Sequence, residues 1–470
     1  MSGATGNDYY ASYLDPALRV ATRVCALPHW LDDDLGLELL ELVGHNGTSR
    51  AMLARVKRLP VVMPFGRTCW RIEKHVREYF VEELSKAPDY ARLSSLLAER
   101  FARDHDEAQD PAERDARVAQ WRAAYHFAEI DPRESVARLC DVVTDAGNRE
   151  RIADVEAAIE LFEEKASLAS FEIEAAYARG RLAYLERDYR AARKFLGVVW
   201  AAQASTRETA VAGHLLGVID IKEKSSDHET QQILRAAAQV ATAVEDRLNL
   251  YQILNTLVNH LLDHHEGASL ADIEELALEE ADVTADLGAE HQAAAYITLG
   301  QVQIRRGRNH FAAARQCLQN AVQLSEASGR TDRSAVALLS SSWLAVSDGR
   351  VHEAIGFMDR ALQINIHAAA DENTPVTARR LAKLVASLDE PLHNWLMIER
   401  SAECFAYWHN ARLVLVGYTP GIDHPVTIPN EFSGVWEDRD RGVRFKLGET
   451  VALRSLLGRH MGVVLTKVNG

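Results

Sequence analysis

The side chains in this chain that could do chemistry are few, and their spacing withholds the partners that chemistry needs. His260 and His264, in the run NHLLDHHEG, are four apart and share one face of a helix, with Asp263 and His265 beside them. Two imidazoles at that spacing are part of a zinc site, but no third ligand follows nearby in the sequence. The pattern therefore predicts solvated histidines at a helix end, where positive charge suits the helix dipole. Asp438-x-Asp440-x-Gly442 opens like a calcium loop, yet the downstream acidic ligand is missing, so the segment predicts a turn between strands. Glu160, Glu163 and Glu164, like Glu274, Glu275, Glu279 and Glu280, predict exposed helix faces. The five cysteines (Cys25, Cys69, Cys140, Cys317 and Cys404) form no C-x-x-C pair and suggest neither a disulfide framework nor a cysteine zinc site. No Ser-His-Asp, Cys-His or paired-carboxylate arrangement can be assembled from the sequence. The expectation is a chain with no catalytic residues, no metal and no cofactor, hence not an enzyme.

What the sequence does carry is periodicity. In the segments 293–324 and 335–364 one helical motif is written twice: Ala314, Leu318 and Ala321 recur 40 residues later as Ala354, Met358 and Ala361. An earlier copy stands at Ala192, Leu196 and Val199. A small residue followed four and then three positions later by apolar ones places all three on one helical face. Helix pairs repeated at such a period cannot bury their faces alone and stack into a solenoid, which is a surface for holding something. Two intervening slots fall near 231–241 and 269–281, where helical patterning persists but the motif is degenerate; about five to six helix pairs are expected. Gly180, Gly288, Gly300, Gly307, Gly329 and Gly349 mark predicted helix joints.

The 470 residues are 47% hydrophobic and 26% charged, ordinary for a globular protein of two to four units. Four regions separate by pattern. Residues 1–88 give three short helices, a hairpin around PFGR and a further helix, a winged-helix-like order. Residues 89–148 form a helical linker, broken at DEAQDPAERD and at Asp131-Pro132. Residues 149–390 are the solenoid. Residues 391–470 hold short β-type runs and a helix over about 449–460, a small α+β cap for the last repeat face. The fold class expected is mainly α. No run approaches the roughly 20 apolar residues needed to span a bilayer, and the polar start MSGATGNDYY shows no signal pattern, so a cytoplasmic protein without membrane contact is expected.

The segment AAYARGRLAYLERDYRAARKFL resembles the tetratricopeptide repeat, with Gly180 and Ala192 at its two small positions. YITLGQVQIRRGRNHFAAARQCLQNAVQL fits with two residues inserted between Gly300 and Ala314, and ALLSSSWLAVSDGRVHEAIGFMDRALQI has Ser342 in the glycine's place. LARVKRLPVVMPFGRTCWRIEKHVREYFVEEL looks like the winged helix that follows the nucleotide-binding domain in STAND-type signal-transduction ATPases, with Ile72, Arg77, Glu78, Tyr79 and Phe80 fitting its helix. The family's nucleotide-sensing histidine position is Glu73 here, and no G-x-x-x-x-G-K-[ST] phosphate loop occurs, nor is an ATPase domain expected before Asp15. The resemblance implies the sensor half of such a machine, a repeat surface that binds protein or peptide, and a role in stress or phage-defence signalling.

Between Gly44 and Phe80 eight basic residues face two acidic ones in a chain of net charge −15. Arg50, Arg55, Lys57 and Arg58 fall on the third helix and Arg67 at the hairpin tip, candidates for docking a partner or, in a DNA-binding regulator, for the major groove and phosphate. Few base-reading Asn or Gln accompany them. On the repeats, Arg179, Tyr184, Tyr296, Gln301, Arg305 and Trp343 are the expected protein-binding residues of the inner face. A further alternative makes the C-terminal region an effector.

Overall fold

Helix caps set the frame from the start. Asp15 accepts the Leu18 N–H at 2.9 Å and Pro16 holds the first position of α1 (Pro16–Cys25); Asp32 accepts from Leu35 at the head of α2 (Asp33–Leu42). After α3 (Ser49–Lys57), strands β1 (Val62–Phe65) and β2 (Cys69–Ile72) pair antiparallel, from Val62 with Ile72 to Phe65 with Cys69, and Leu31 bridges Trp70. Helix α4 (Lys74–Ser85) follows. These features come from a computed structural model that describes residues 14–45, 47–65, 69–107, 114–264, 269–368, 373–388, 395–419, 425–448, 450–457 and 460–468. The chain packs as two compact units, Met1–Ala204 and Ser205–Gly470.

In the first unit, Leu18, Val24, Leu39, Val56, Trp70 and Phe80 share one apolar cluster with Leu97 and Phe101 of α5 (Tyr90–Asp106), so the core runs on past residue 88. Helix α6 (Arg114–Ile130) leads to α7 (Pro132–Asn148), whose cap is the Asp131-Pro132 step that the sequence predicts as a helix boundary. Helices α8 (Ile152–Glu164), α9 (Glu172–Leu185) and α10 (Tyr189–Ala201) complete it.

The second unit begins with four helix pairs: α11 (Arg207–Glu223) with α12 (Asp227–Ala243), α13 (Arg247–Asp263) with α14 (Leu270–Val283), α15 (Ala289–Arg306) with α16 (Phe311–Ala327), and α17 (Thr331–Ser347) with α18 (Val351–His367). Helix α19 (Asn373–Ala386) packs on α18. The motif now runs without a gap. Ala192, Leu196 and Val199 are followed by Thr230, Leu234 and Ala237, then Ile273, Ala277 and Glu280, then Ala314, Leu318 and Ala321, then Ala354, Met358 and Ala361, and every one is buried. Successive sets lie 38, 43, 41 and 40 residues apart. The degenerate slots are therefore genuine helix pairs.

Two of the glycines read as joints are not joints. Gly180 and Gly300 lie inside α9 and α15, where a Cβ would come within 2.7 Å of Leu196 and 2.9 Å of Leu318. The packing of each pair's second-helix leucine removes the room for a side chain. Gly217 does the same opposite Leu234, at 2.5 Å. In the pair α13–α14 the sizes are exchanged: by period Leu257 takes the glycine's place and Ala277 the leucine's. Gly288, Gly307, Gly329 and Gly349 do stand at helix joints.

Beyond α19 the chain forms a six-stranded antiparallel sheet in the order β3 (Trp395–Arg400), β4 (Cys404–His409), β5 (Arg412–Gly417), β10 (Gly462–Lys467), β7 (Gly434–Asp438), β8 (Val443–Leu447). A separate pair joins β6 (Pro425–Thr427) to β9 (Thr450–Ala452). The helix expected over 449–460 shrinks to α20 (Leu453–Leu457), because 450–452 is spent on β9. Asp438 ends β7 as a turn residue, its Oδ1 accepting from the N–H groups of Asp440 and Arg441. One sheet face, through Trp395, Phe405, Tyr407, Val414 and Val464, packs against Ile355, Met358, Leu362 and Leu381 of α18 and α19. The other closes a second core around Trp436 and Leu465. Among the described residues no helix is long and apolar enough to cross a membrane.

Candidate peptide-binding groove

Helices α17 and α19 each bury one face in the repeat stack and leave another bare. On α17 the bare face carries Val336, Trp343 and Val346, exposed by 41%, 40% and 40%; on α19 it carries Val376, exposed by 45%. Large apolar side chains so exposed on neighbouring helices mark an interaction surface more often than chance scatter does. Between them opens a groove of about 560 Å³, lined by Gln301, Val336, Leu339, Trp343, Val346 and, from α19, Arg380, Lys383 and Leu384. Ser340 on its wall accepts a hydrogen bond from Gln301 Nε2 at 3.0 Å. The Arg305 guanidinium lies 5.1 Å from the Trp343 ring centroid, a cation–π contact that steadies the indole within the groove. Helix α19 places the exposed Arg379, Arg380 and Lys383 along its outer turns and has no acidic residue. The groove thus joins an apolar floor to a cationic rim.

Of the six inner-face residues expected from sequence, Gln301 and Trp343 line this groove and Arg305 buttresses it. Tyr296 does not take part; it is half-buried against Ile297, Ala321 and Ala337. Arg179 and Tyr184 belong to the first unit, where Arg179 pairs with Glu163 at 3.0 Å and the Tyr184 ring lies 6.0 Å from that of Tyr189. Of the residues missed, Val336 and Val346 had a legible signal, apolar side chains on both faces of α17, whereas Arg380 and Lys383 of α19 had none in the repeat pattern.

In the first unit, Arg50, Arg55, Lys57 and Arg58 are all exposed, but two are already engaged. Arg55 pairs with Asp15, and Lys57 Nζ lies 2.7 Å from Asp33 Oδ1. Both aspartates are held below the ordinary carboxylate range, Asp33 chiefly by the Lys57 hydrogen bond and Asp15 by the Leu18 N–H first and the Arg55 hydrogen bond second. Arg67 lies outside the described residues. Glu73, at the position matched to a nucleotide-sensing histidine, caps α4 by accepting the Val76 N–H at 3.3 Å. A cavity of about 350 Å³ opens beside Trp30 and Trp121, but its charges answer one another, Arg151 with Asp145 and Arg117 with Asp154.

No protein-family model matches this chain. No curated protein sequence matches it either. Among solved structures, it is similar to a signal transduction ATPase with numerous domains (STAND) protein with a tetratricopeptide repeat sensor from Pyrococcus horikoshii, at a TM-score of 0.50 and 11% identity. That likeness covers 83% of this chain and 60% of the other, so this chain spans less than two thirds of its neighbour's length. The solenoid is tetratricopeptide-like. Yeast Tom70 also aligns, at a TM-score of 0.36 and 14% identity over 80% of this chain and 82% of that one.

Two sequence expectations about polar residues change inside the tetratricopeptide-like stack. Glu280 is fully buried, not on an exposed face, because it occupies the third motif position of α14. Glu274 is half-buried and holds Gln303 and Arg306. Of the histidine pair expected at a solvated helix end, His264 is exposed there but His260 is buried, and Asp227 of α12 lies beside both rings. Sequence distance hid that third side chain, 33 residues upstream of His260. His265 lies outside the described residues.

Proposed function

We propose that this protein is a non-enzymatic scaffold or sensor that holds a protein segment in the groove between α17 and α19. The observation that carries the reading is the exposed Val336, Trp343, Val346 and Val376 beside Arg380 and Lys383. Trp at the centre of an apolar patch with Arg at its edge is the composition of binding hot spots. The occupant is a peptide segment that places an apolar side chain on Trp343 and a carboxylate, from Asp, Glu or a chain terminus, against the rim. The exposed Arg50 and Arg58, at the two ends of α3, dock a second partner in this reading. A DNA-binding regulator is less favoured, because Arg55 and Lys57 spend their charge on Asp15 and Asp33. An effector role for the C-terminal sheet is less favoured too, since both faces of β4, β5 and β10 are consumed as core.

The test is selection of peptides from a displayed random library on the full-length chain, followed by affinity measurement. Enriched sequences pair an aromatic or aliphatic residue with acidic ones, and Trp343→Ala weakens them by about tenfold or more. Selection of basic peptides, or binding indifferent to Trp343→Ala, overturns the reading.

A further inference from the structure

We propose that Asp227, His260 and His264 form a binding site for a zinc-class divalent cation. His260 and His264 lie one turn apart at the end of α13, and Asp227 opens α12, so two neighbouring helices of successive pairs supply the three side chains. His260 Nε2 is 3.7 Å from Asp227 Oδ1, and His264 Nδ1 is 3.7 Å from Asp227 Oδ2. The donor atoms of all three lie within 4.8 Å of one another. Those separations are too long for hydrogen bonds. They are close to what a shared cation needs: donors about 2.0–2.1 Å from a tetrahedral zinc stand roughly 3.4 Å apart.

A second observation is independent of these distances. The His260 side chain is 2% exposed, and neither ring nitrogen has a hydrogen-bond partner. Buried polar groups are almost always satisfied, and an orphan imidazole aimed at a carboxylate and a second imidazole points to something between them. Two imidazole nitrogens with one carboxylate select zinc, cobalt(II) or nickel(II) over magnesium or calcium, which take oxygen ligands. Asp227 and His264 are 51% and 49% exposed, so the remaining coordination position opens to solvent. Bound there, the cation clasps the first turn of α12 to the last turn of α13 and stiffens the joint between two repeats.

The full-length chain, stripped with chelator, is titrated with Zn²⁺ by calorimetry and with Co²⁺ while its visible d–d bands are recorded. One equivalent binds, the cobalt bands develop to the same end point, and Zn²⁺ raises the melting temperature. Asp227→Asn and His264→Gln alter exposed positions and leave the fold intact without metal. Each weakens Zn²⁺ binding by about 10- to 100-fold and abolishes the thermal shift. Absence of saturable one-equivalent binding in the unaltered chain overturns the site. So does binding that persists unchanged in both variants, which would place the metal on other histidines.

Discussion

Glu280 shows how one residue can contradict its neighbourhood. It occupies the motif position that Val199, Ala237, Ala321 and Ala361 fill in the other repeats, and it is fully buried. Asn255 Nδ2 donates to its Oε1 at 2.8 Å, while Oε2 has no partner. Burial pushes its pKa up to about 8, with the Asn255 hydrogen bond opposing. Between its unfolded value near 4.5 and about 8, the folded state holds a proton that the unfolded state has released. Stability from this group is therefore full below pH 4.5 and falls as pH rises toward 8. Glu280→Gln keeps the shape without the charge. It is expected to stabilise the protein by roughly a few kcal/mol at pH 8 and by almost nothing at pH 4, read from urea denaturation at both values. Equal effects at the two pH values would show that the carboxyl does not titrate with folding. In sequence, Glu280 stands in an acidic run, EELALEEAD, that reads as solvated. Only the phase of Ile273, Ala277 and Glu280, one helical face, separates it from Glu275 and Glu279.

At the scale of elements, helical patterning was legible through all the repeats, but the motif stayed degenerate in two slots, although Gly217 faces Leu234 in the usual order in the first of them. In the pair α13–α14 the motif is degenerate because Leu257 and Ala277 exchange sizes, and close packing accepts either order. The C-terminal strands were legible by composition, but their docking was not, since no local signal tells a strand what it will cover. The seam has a polar centre. Asp359 of α18, buried, accepts the Tyr407 hydroxyl of β4 and lies 3.2 Å from His409 Nδ1, with Trp395 stacked on Tyr407 at 4.3 Å. Burial, then the charge of Asp359, drives the Tyr407 pKa well above that of a free phenol, so the hydroxyl remains a donor across the working pH range. Tyr407→Phe removes that donor and little volume, leaving a buried carboxylate short of one partner. A loss of about 1–3 kcal/mol is expected in chemical denaturation. An unchanged midpoint would mean that the seam is held by apolar packing alone.

For the molecule as a whole, the sequence leads to the expectation of a binding surface, and the proposed groove takes in only part of the residues expected on it. The six inner-face residues were chosen by position in the motif. Position identifies a helix face but not whether a following helix covers it, and the groove is completed by α19, the helix that follows the last repeat pair. Charge then decides how the groove meets a partner. The chain carries −15 overall, whereas the rim offers Arg305, Arg380 and Lys383. An acidic segment is repelled by the former at long range and attracted by the latter at contact. Screening reaches about 10 Å at 0.1 M salt, so beyond that range the net charge is already muted and the rim dominates. Affinity for an acidic–apolar peptide is expected to fall as salt rises from 0.1 to about 0.5 M, with the change concentrated in the association rate. The double change Arg380→Glu and Lys383→Glu removes the local attraction and leaves the global repulsion. In that variant the salt dependence reverses sign, so added salt tightens the weak binding that Trp343 and the valines still provide. A slope that keeps its sign in the variant would move the electrostatic contact away from α19.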